Sequence, residues 1–209
     1  MELKEIEHYL TRIAPGRNPV LTEMETYAEE IHFPIVGSIV GNVLGFFAKL
    51  VNARRIFELG SGFGYSALWF ALSTAEDTKI TCTDLSKSNY DQAMMYFEKA
   101  GVKYKIDFKV EDALVALRQT TDPQDIIFND IEKSEYPEVF NLALDRLRVG
   151  GLLITDNTLW HGKVLSNEIS DESTRGVLRY NELAFSDKRV HSVLLPIRDG
   201  ITVSIKLKS

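Results

Sequence analysis

The chain has 209 residues, of which 44% are hydrophobic and 26% are charged, and its formal net charge is -6. This composition excludes a disordered chain, and the acidic balance disfavours a general electrostatic grip on nucleic acid. The length predicts one domain over residues 1–209, with N-terminal helices over 1–50 and an α/β core over 51–209.

The number of cysteines and the N-terminal residues indicate the cellular compartment. The single cysteine, Cys82, cannot form an internal disulfide, and we interpret it as a buried core residue in a reducing compartment. The N-terminus lacks the basic and then apolar layout of a signal peptide. The longest apolar run, 35–50, is too short to span a bilayer. We therefore expect a cytoplasmic protein with no membrane partner.

Three helices are predicted before residue 51. The first has apolar residues at helical spacing, namely Leu3, Ile6, Leu10 and Ile13, and ends in the proline- and glycine-containing run 15–19. Thr22 is the predicted N-cap of the second helix, with Glu25 placed to complete a capping box. The third helix covers 35–50 and has glycines on one face, at positions 37, 41 and 45, which we expect to pack against another helix.

From residue 55 onwards, strand and helix patterns alternate. The predicted strands are 55–59, 79–83, 104–110, 125–129 and 152–155, and the helices between them are 65–75, 87–100, 112–119 and 135–147. After a last helix at 172–186, strands at 190–196 and 201–207 flank an Asp-Gly hairpin signal. The pattern predicts a Rossmann-like, doubly wound α/β fold. Its seven-stranded sheet would be mostly parallel and would end in a C-terminal antiparallel hairpin.

The turn after the first predicted strand contains Gly60, Gly62 and Gly64, spaced G-x-G-x-G. Glycine lets backbone N–H groups approach a ligand closely. The dinucleotide fingerprint G-x-G-x-x-G would need glycine where Tyr65 stands, so the spacing favours a smaller nucleoside ligand. Glu58, within the strand, would suit a cationic amino group on that ligand. An ordinary tight β–α turn is the alternative interpretation.

Acidic or polar residues occur at or just past the carboxyl ends of all five predicted parallel strands, where ligands bind in open α/β sheets. After the glycine turn these residues are Asp84, Glu111–Asp112, Asp130 and Asp156–Asn157. Asp84 follows Gly60 at close to the spacing of a carboxylate that binds ribose hydroxyls. Asp112 and Ala113 would border the nucleobase in the same pocket.

The second half of the sheet offers oxygen ligands for a cation. Asp130, Asp156 and Asn157 would select Mg²⁺, Ca²⁺ or Mn²⁺ over zinc, although the Asp156–Asn157 pair could instead cap a helix. Lys133 follows Asp130 by three residues. Near a divalent cation a lysine is pushed towards its neutral form and can act as a general base; the alternative is a surface lysine.

A loop after the Asp-Asn pair carries Trp160 and His161. The aromatic ring of Trp160 could form a wall for a flat substrate. We interpret His161 as a loop residue beside that substrate and not as a metal ligand.

Three blocks of this sequence carry a resemblance to a known family, and they span 57–71, 125–137 and 150–164. They read F-E-L-G-S-G-F-G-Y-S-A-L-W-F-A, D-I-I-F-N-D-I-E-K-S-E-Y-P and G-G-L-L-I-T-D-N-T-L-W-H-G-K-V. With the ending L-L-P-I-R-D-G-I-T-V, the chain resembles the cation-dependent O-methyltransferases of the catechol and caffeoyl-coenzyme A type. The resemblance covers about 34–207, and it implies S-adenosylmethionine as the methyl donor.

The resemblance also implies residue roles. Asp130, Asp156 and Asn157 would bind the metal, usually magnesium, and Lys133 would deprotonate the acceptor hydroxyl. The implied contacts to the cofactor are Val36, Glu58, Gly60, Ser61, Gly62, Ser66, Asp84, Asp112, Ala113 and Asp130. Relatives in this family are commonly homodimers. The chain departs from the family at Glu132 and at Asn129, and the latter change could alter the acceptor pocket.

The function implied is methylation of a vicinal-diol, catechol-like hydroxylated aromatic small molecule. Methylation of a hydroxylated nucleoside in tRNA is an alternative. A basic cluster near the site, such as Arg175, Arg179, Lys188 and Arg189, would favour it. A nicotinamide-dependent oxidoreductase and a cofactor-binding protein without catalysis are two further alternatives.

Overall fold

A computed structural model describes residues 3–13, 18–166 and 171–208. Three helices precede the sheet: α1 (Leu3–Ile13), α2 (Pro19–Glu30) and α3 (Gly37–Leu50). Most of the predicted break at 15–19 lies outside the described residues. No helix in the described ranges is both long enough and apolar enough to cross a membrane.

The predicted N-cap of α2 is wrong. The helix begins at Pro19, and the side chain of Asn18 caps it by accepting a hydrogen bond of 2.9 Å from the backbone N–H of Val20. Proline suits the first helical position because its fixed φ is helical and its missing N–H would be unpaired there anyway. Thr22 therefore lies inside the helix. Glu25 accepts a hydrogen bond from the Tyr65 hydroxyl at 2.5 Å.

The sheet has seven strands in the order β3-β2-β1-β4-β5-β7-β6. The strands are β1 (Arg55–Leu59), β2 (Lys79–Asp84), β3 (Ile106–Val110), β4 (Gln124–Asn129), β5 (Leu147–Thr155), β6 (Val190–Leu195) and β7 (Ile201–Lys206). The first five are parallel to one another, and β7 is antiparallel to both β5 and β6. The predicted fold class is thus confirmed.

Helices cover both faces of the sheet. They are α4 (Tyr65–Ser73), α5 (Lys87–Lys99), α6 (Ala113–Gln119), α7 (Tyr136–Arg146) and α8 (Glu172–Ser186). Side chains alternate along a strand, so Ile56 packs in the apolar layer with α2 to α5 and Phe57 packs in the layer with α6 to α8. Cys82 is buried in the first layer, as expected.

Helix α3 packs against α4 through its glycine face, as predicted. A Cβ atom at Gly41 would overlap the indole of Trp69, and one at Gly45 would overlap the hydroxyl of Ser73. The glycines therefore allow the two backbones to approach closely. Since α4 begins directly after the Gly60–Gly64 turn, this contact fixes the helix that follows the turn.

Some boundaries differ from the prediction for local reasons. Strand β3 starts at Ile106 because residues 103–105 form a 3-10 turn. The buried Lys105 donates hydrogen bonds from Nζ to the carbonyls of Ala71 (2.7 Å) and Thr74 (2.9 Å), at the end of α4. Strand β5 starts at Leu147 instead of residue 152, since β4 and β5 pair from Gln124 and Leu147 onwards.

Candidate active site

The turn between β1 and α4 needs glycine at several positions. Gly60, Gly62 and Gly64 have φ angles of 80°, 51° and 87°, a region that disfavours side chains. A Cβ atom at Gly60 would overlap the carbonyl oxygen of Asp130, at the end of β4. The turn thus lies directly against the end of the neighbouring strand, which brings the predicted cofactor and metal residues together.

The carboxylate of Asp84 holds this turn from the end of β2. It accepts hydrogen bonds from the backbone N–H of Gly62 (3.0 Å), from the N–H of Ser86 (2.8 Å) and from the side chain of Asn89 (3.0 Å). An ionised carboxylate has about four acceptor positions, so one remains for a ligand hydroxyl. Asp84 both shapes the turn and stays available to a ribose.

Glu58 is fully buried in β1, and neither of its carboxylate oxygens has a hydrogen-bond partner within the described part of the chain. Burial raises the pKa of Glu58 to about 7, against the opposing influence of the Ser61 and Ser66 hydroxyls. A buried carboxylate without a partner is costly, and a cationic ligand group would offset that cost. This environment fits the predicted cationic amino group.

A cavity of about 1130 Å³ opens at the carboxyl ends of the parallel strands, and a smaller one of about 290 Å³ adjoins it. The larger is lined by ten predicted site residues: Gly60, Asp84, Asp112, Ala113, Asp130, Lys133, Asp156, Asn157, Trp160 and His161. The smaller adds four more: Val36, Ser61, Gly62 and Ser66. Of the predicted site residues, Glu58 lies outside both linings, so a ligand would face it from beyond the hydroxyls of Ser61 and Ser66.

The two predicted metal-binding carboxylates follow neighbouring strands. The N–H of Asp130 donates to the carbonyl of Leu59 (3.0 Å), and the N–H of Asp156 donates to the carbonyl of Asn129 (3.1 Å). Burial raises the pKa of Asp156 to about 7, and the negative charge of Asp130 adds to that rise. Burial also raises the pKa of Asp130, whereas Lys133 opposes the shift. A buried carboxylate, Asp156, and a partly exposed one, Asp130, thus repel each other in the cavity.

These residues fit a hard divalent cation. The donor set is two carboxylates and one amide, and a cation between the carboxylates would relieve their repulsion. Within the described ranges, no group of three or more His, Cys, Asp or Glu side chains could hold a metal. Water and substrate oxygens would therefore complete the coordination. The helix-cap alternative for Asp156–Asn157 is wrong, because the next helical turn starts at Trp160 and has no side-chain cap.

Lys133 lies inside the site. Its side chain is 13% exposed, and its Nζ atom is 3.1 Å from Oδ1 of Asp130 and 3.2 Å from the carbonyl oxygen of Ile131. The same nitrogen lies 5.4 Å from the ring of Tyr136 and 5.8 Å from that of Trp160. The surface-lysine alternative is wrong, since the ammonium is surrounded by groups of the cavity.

The loop after β5 brings an aromatic wall to the cavity. The indole N–H of Trp160 donates to the hydroxyl of Thr174 (3.1 Å), which fixes the ring against α8. The ring of His161 stacks on Trp160 with a centroid distance of 5.5 Å and an interplanar angle of 29°. Both residues line the larger cavity, in keeping with the predicted substrate wall.

Two residues of the β6–β7 hairpin, Arg198 and Asp199, also line this cavity, although the Asp-Gly pattern predicts only a turn there. The guanidinium of Arg198 donates to the carbonyls of Ile35 (3.0 Å) and Val36. Asp199 accepts hydrogen bonds from the loop after β5. The motif R-D-G in the C-terminal block L-L-P-I-R-D-G-I-T-V could have marked these two residues, but it does not indicate which residues they contact.

Asn129 and the basic residues named for the tRNA alternative do not line the cavities that the structure describes. Asn129 is fully buried between Leu59 and Thr155 in the sheet and does not line the described cavities, so it does not alter the acceptor pocket directly. The basic residues that would favour tRNA, Arg175, Arg179, Lys188 and Arg189, also lie outside the described cavity linings. Arg179 pairs with Glu182, and Arg189 pairs with Asp187.

Comparison with known proteins decides the family. The family model described as O-methyltransferase matches residues 16–207. The chain belongs to the O-methyltransferase family. Caffeoyl-CoA O-methyltransferase 1 of Arabidopsis thaliana is 36% identical to it in an alignment of 177 positions that covers 78% of this chain and 68% of the plant protein. The family and its caffeoyl-CoA-type relatives place this O-methyltransferase in the class I enzymes that use S-adenosylmethionine.

Solved structures of O-methyltransferases share the fold. The O-methyltransferase TomG of Streptomyces achromogenes, in complex with SAM, has a TM-score of 0.90 and 26% identity, and the match covers 100% of both chains. The O-methyltransferase of Bacillus cereus, in complex with SAH, has a TM-score of 0.89 and 25% identity over 97% of each chain. The oxidoreductase and non-catalytic alternatives are therefore wrong for this O-methyltransferase.

Proposed function

We propose that this O-methyltransferase transfers the methyl group of S-adenosylmethionine to one hydroxyl of a catechol-like vicinal diol and that it needs a divalent cation. The observation that carries the proposal is the convergence of Asp130, Asp156 and Lys133 in one cavity with the Gly60 turn. These groups offer a cation site and a base next to a methyl-donor pocket.

The donor would occupy the first half of the sheet edge. Backbone N–H groups of the glycine turn and the hydroxyls of Ser61 and Ser66 would bind its amino-acid end. The buried carboxylate of Glu58, behind these hydroxyls, would balance the charge of the ammonium. Asp84 would accept hydrogen bonds from the ribose, and the Asp112–Ala113 start of α6 would border the base. S-adenosylmethionine supplies an electrophilic methyl group on a sulfonium sulfur. The residues around it contribute mainly by positioning two reactants.

The acceptor would occupy the second half. Asp130, Asp156 and Asn157 would hold Mg²⁺, or another hard cation such as Mn²⁺ or Ca²⁺. When bound, such a cation would lower the pKa of a coordinated hydroxyl and orient two adjacent oxygens. A vicinal diol has this pair of oxygens, whereas an isolated hydroxyl does not.

Lys133 would remove the proton from the acceptor hydroxyl. Its Nζ atom lies beside Asp130 and faces the ring of Trp160, so it sits between the proposed cation site and the aromatic wall. The deprotonated oxygen would then attack the methyl carbon in a direct displacement. Trp160, with the apolar side chains of Ile131 and Val164 in the same lining, would hold a flat ring and exclude water.

The test is methyl transfer from S-adenosylmethionine to a panel of catechols that includes caffeic acid and caffeoyl-coenzyme A. Each acceptor is assayed with Mg²⁺ and again with EDTA, and matched phenols with one hydroxyl serve as controls. We expect turnover of the diols alone, and we expect EDTA to abolish it. Full turnover in EDTA, or equal turnover of the phenols with one hydroxyl, would refute the proposal.

A further inference from the structure

The side chain of Asp199 connects the β6–β7 hairpin to the loop that follows β5. It is 14% exposed, and Oδ2 lies 3.4 Å from Nδ2 of Asn157 and 3.5 Å from Nδ1 of His161. Oδ1 accepts a hydrogen bond from the backbone N–H of His161. One carboxylate therefore contacts a proposed metal ligand and the residue next to the aromatic wall.

Backbone hydrogen bonds join the same two segments. The N–H of Leu159 donates to the carbonyl of Asp199 (2.8 Å), and the N–H of Thr158 donates to the carbonyl of Gly200 (3.0 Å). The hairpin backbone thus brings the Asp199 carboxylate to a fixed place beside the loop. These backbone hydrogen bonds do not involve the Asp199 side chain, so they would remain when that side chain is replaced.

The contact with Asp199 determines which end of the Asn157 amide can face a cation. An asparagine amide has a donor NH₂ group and an acceptor oxygen, and rotation by half a turn exchanges them. A carboxylate accepts hydrogen bonds and cannot donate them, so Asp199 selects the orientation in which Nδ2 points towards it. Oδ1, the only amide atom that can bind a hard cation, is then the atom left for the metal.

The loop also adopts backbone conformations that need support. Asn157, Trp160 and His161 have φ angles of 55°, 48° and 52°, which side-chain-bearing residues rarely adopt. Such conformations are unfavourable and persist where their surroundings hold them in place. The hydrogen bond from the N–H of His161 to Asp199 is a contact of this kind.

We propose that Asp199 is a positioning residue, which holds the Asn157 amide with its oxygen towards the cation site and holds His161 beside Trp160. This inference rests on the proposed function, because it assigns Asn157 to a cation. Residues that orient metal ligands typically change metal affinity 10–100-fold when they are removed.

Asp199→Asn separates the contact with the Asn157 amide from the contact with the backbone N–H of His161. The asparagine oxygen can still accept the hydrogen bond from His161, but its NH₂ group would then face the NH₂ group of Asn157. The Asn157 amide would rotate to avoid two facing donors, and it would turn its nitrogen towards the cation. We expect Mn²⁺ binding, followed by the electron paramagnetic resonance signal of free Mn²⁺, to weaken about 10–100-fold. Calorimetry should give an unchanged affinity for S-adenosylmethionine.

Exchanging the two side chains, so that position 157 carries aspartate and position 199 asparagine, should restore part of the Mn²⁺ affinity. With Asn157→Asp in the Asp199→Asn background, the asparagine NH₂ group donates to the new carboxylate, which keeps an oxygen for the cation. The double variant should bind Mn²⁺ more tightly than the product of the two single effects predicts. Asp187→Ala is the control, since it removes an acid that pairs with Arg189 before the start of β6, at the end of the sheet opposite to the cavity.

The outcomes distinguish this inference from the proposed function. If the wild-type protein binds no Mn²⁺, the proposed metal dependence is wrong and the role of Asp199 falls with it. If the wild type binds Mn²⁺ but Asp199→Asn binds it equally well, or if the two substitutions are additive, the role of Asp199 alone is overturned. Selective loss in Asp199→Asn with recovery in the double variant would support the inference.

Discussion

Replacing Glu58 with glutamine should change how the stability of the ligand-free protein depends on pH. Burial raises the pKa of Glu58 from 4.5 to about 7, so the folded state holds a proton that the unfolded state has already lost. Below pH 4.5 the carboxyl group is protonated in both states and costs nothing. As the pH rises from 4.5 to 7, the folded state is progressively destabilised, and above pH 7 the full cost is present.

The change in unfolding free energy can be calculated from the change in the pKa of Glu58. At roughly 1.4 kcal/mol for each pH unit, a shift from 4.5 to about 7 corresponds to about 3 kcal/mol of unfolding free energy. Most of that cost, about 2.5 kcal/mol, develops between pH 5 and pH 8. The side chain is fully buried, so solvent does not screen this cost.

Urea denaturation of both proteins at pH 5 and pH 8 measures the difference. The unfolding free energy of the Glu58→Gln variant, relative to the wild type, should rise by about 2.5 kcal/mol between the two pH values. A buried amide has its own cost, but that cost does not depend on pH and cancels in the comparison. Parallel pH profiles for the two proteins would show that the Glu58 carboxyl is not desolvated as described.

Three further predictions follow from the site and the packing. Asp156→Ala should abolish Mg²⁺-dependent methyl transfer in a radiolabel assay, and retained activity would contradict its role. The thermal midpoint at pH 8 should change little, because the loss of a desolvated carboxylate offsets the loss of its hydrogen bond with the Asn157 N–H. Gly41→Ala should cost about 1–3 kcal/mol in urea denaturation, because the new methyl group overlaps the Trp69 indole. Asn42→Ala, at an exposed position of the same helix, is its control. Arg198→Met should weaken S-adenosylmethionine binding roughly tenfold in calorimetry, because it removes two hydrogen bonds to the segment before α3; unchanged affinity would show that this contact does not shape the donor pocket.

Local sequence patterns predicted the helices, strands and turns whose signals lie within a few consecutive residues. The run from β1 through the glycine turn to α4 combines an apolar strand, three glycines and a helical pattern, and the strand ends at Asp130 and Asp156 follow from strand periodicity. The sheet edge then brings these residues together, because parallel strands place their carboxyl ends on the same side. Most of the candidate site could therefore be predicted before the structure.

The wrong or missing predictions have two causes. Some contacts join distant parts of the chain, and some neighbouring residues compete for the same structural role. Arg198 reaches Ile35, which is 163 positions away in the sequence, and no periodicity or spacing reports such a contact. Thr22 and Asn18 are both good N-caps, and the proline after Asn18 decided between them. Asn129 was expected near the pocket because it precedes Asp130, but successive residues at a strand end point in different directions.

The position of β7 in the sheet has a consequence for the order in which the enzyme can assemble during translation. Residues 55–113 build the glycine turn, Asp84 and the start of α6, so the donor half can form early on the ribosome, where folding generally proceeds from the N-terminal side. Strand β7, by contrast, inserts between β5 and β6, and Arg198 and Asp199 emerge just before it. A nascent chain halted before residue 198 would have the elements of a nucleoside pocket without the support of its acceptor loop. Donor binding would thus be gained in part before this hairpin is made, whereas full donor affinity and methyl transfer would need Arg198 and Asp199.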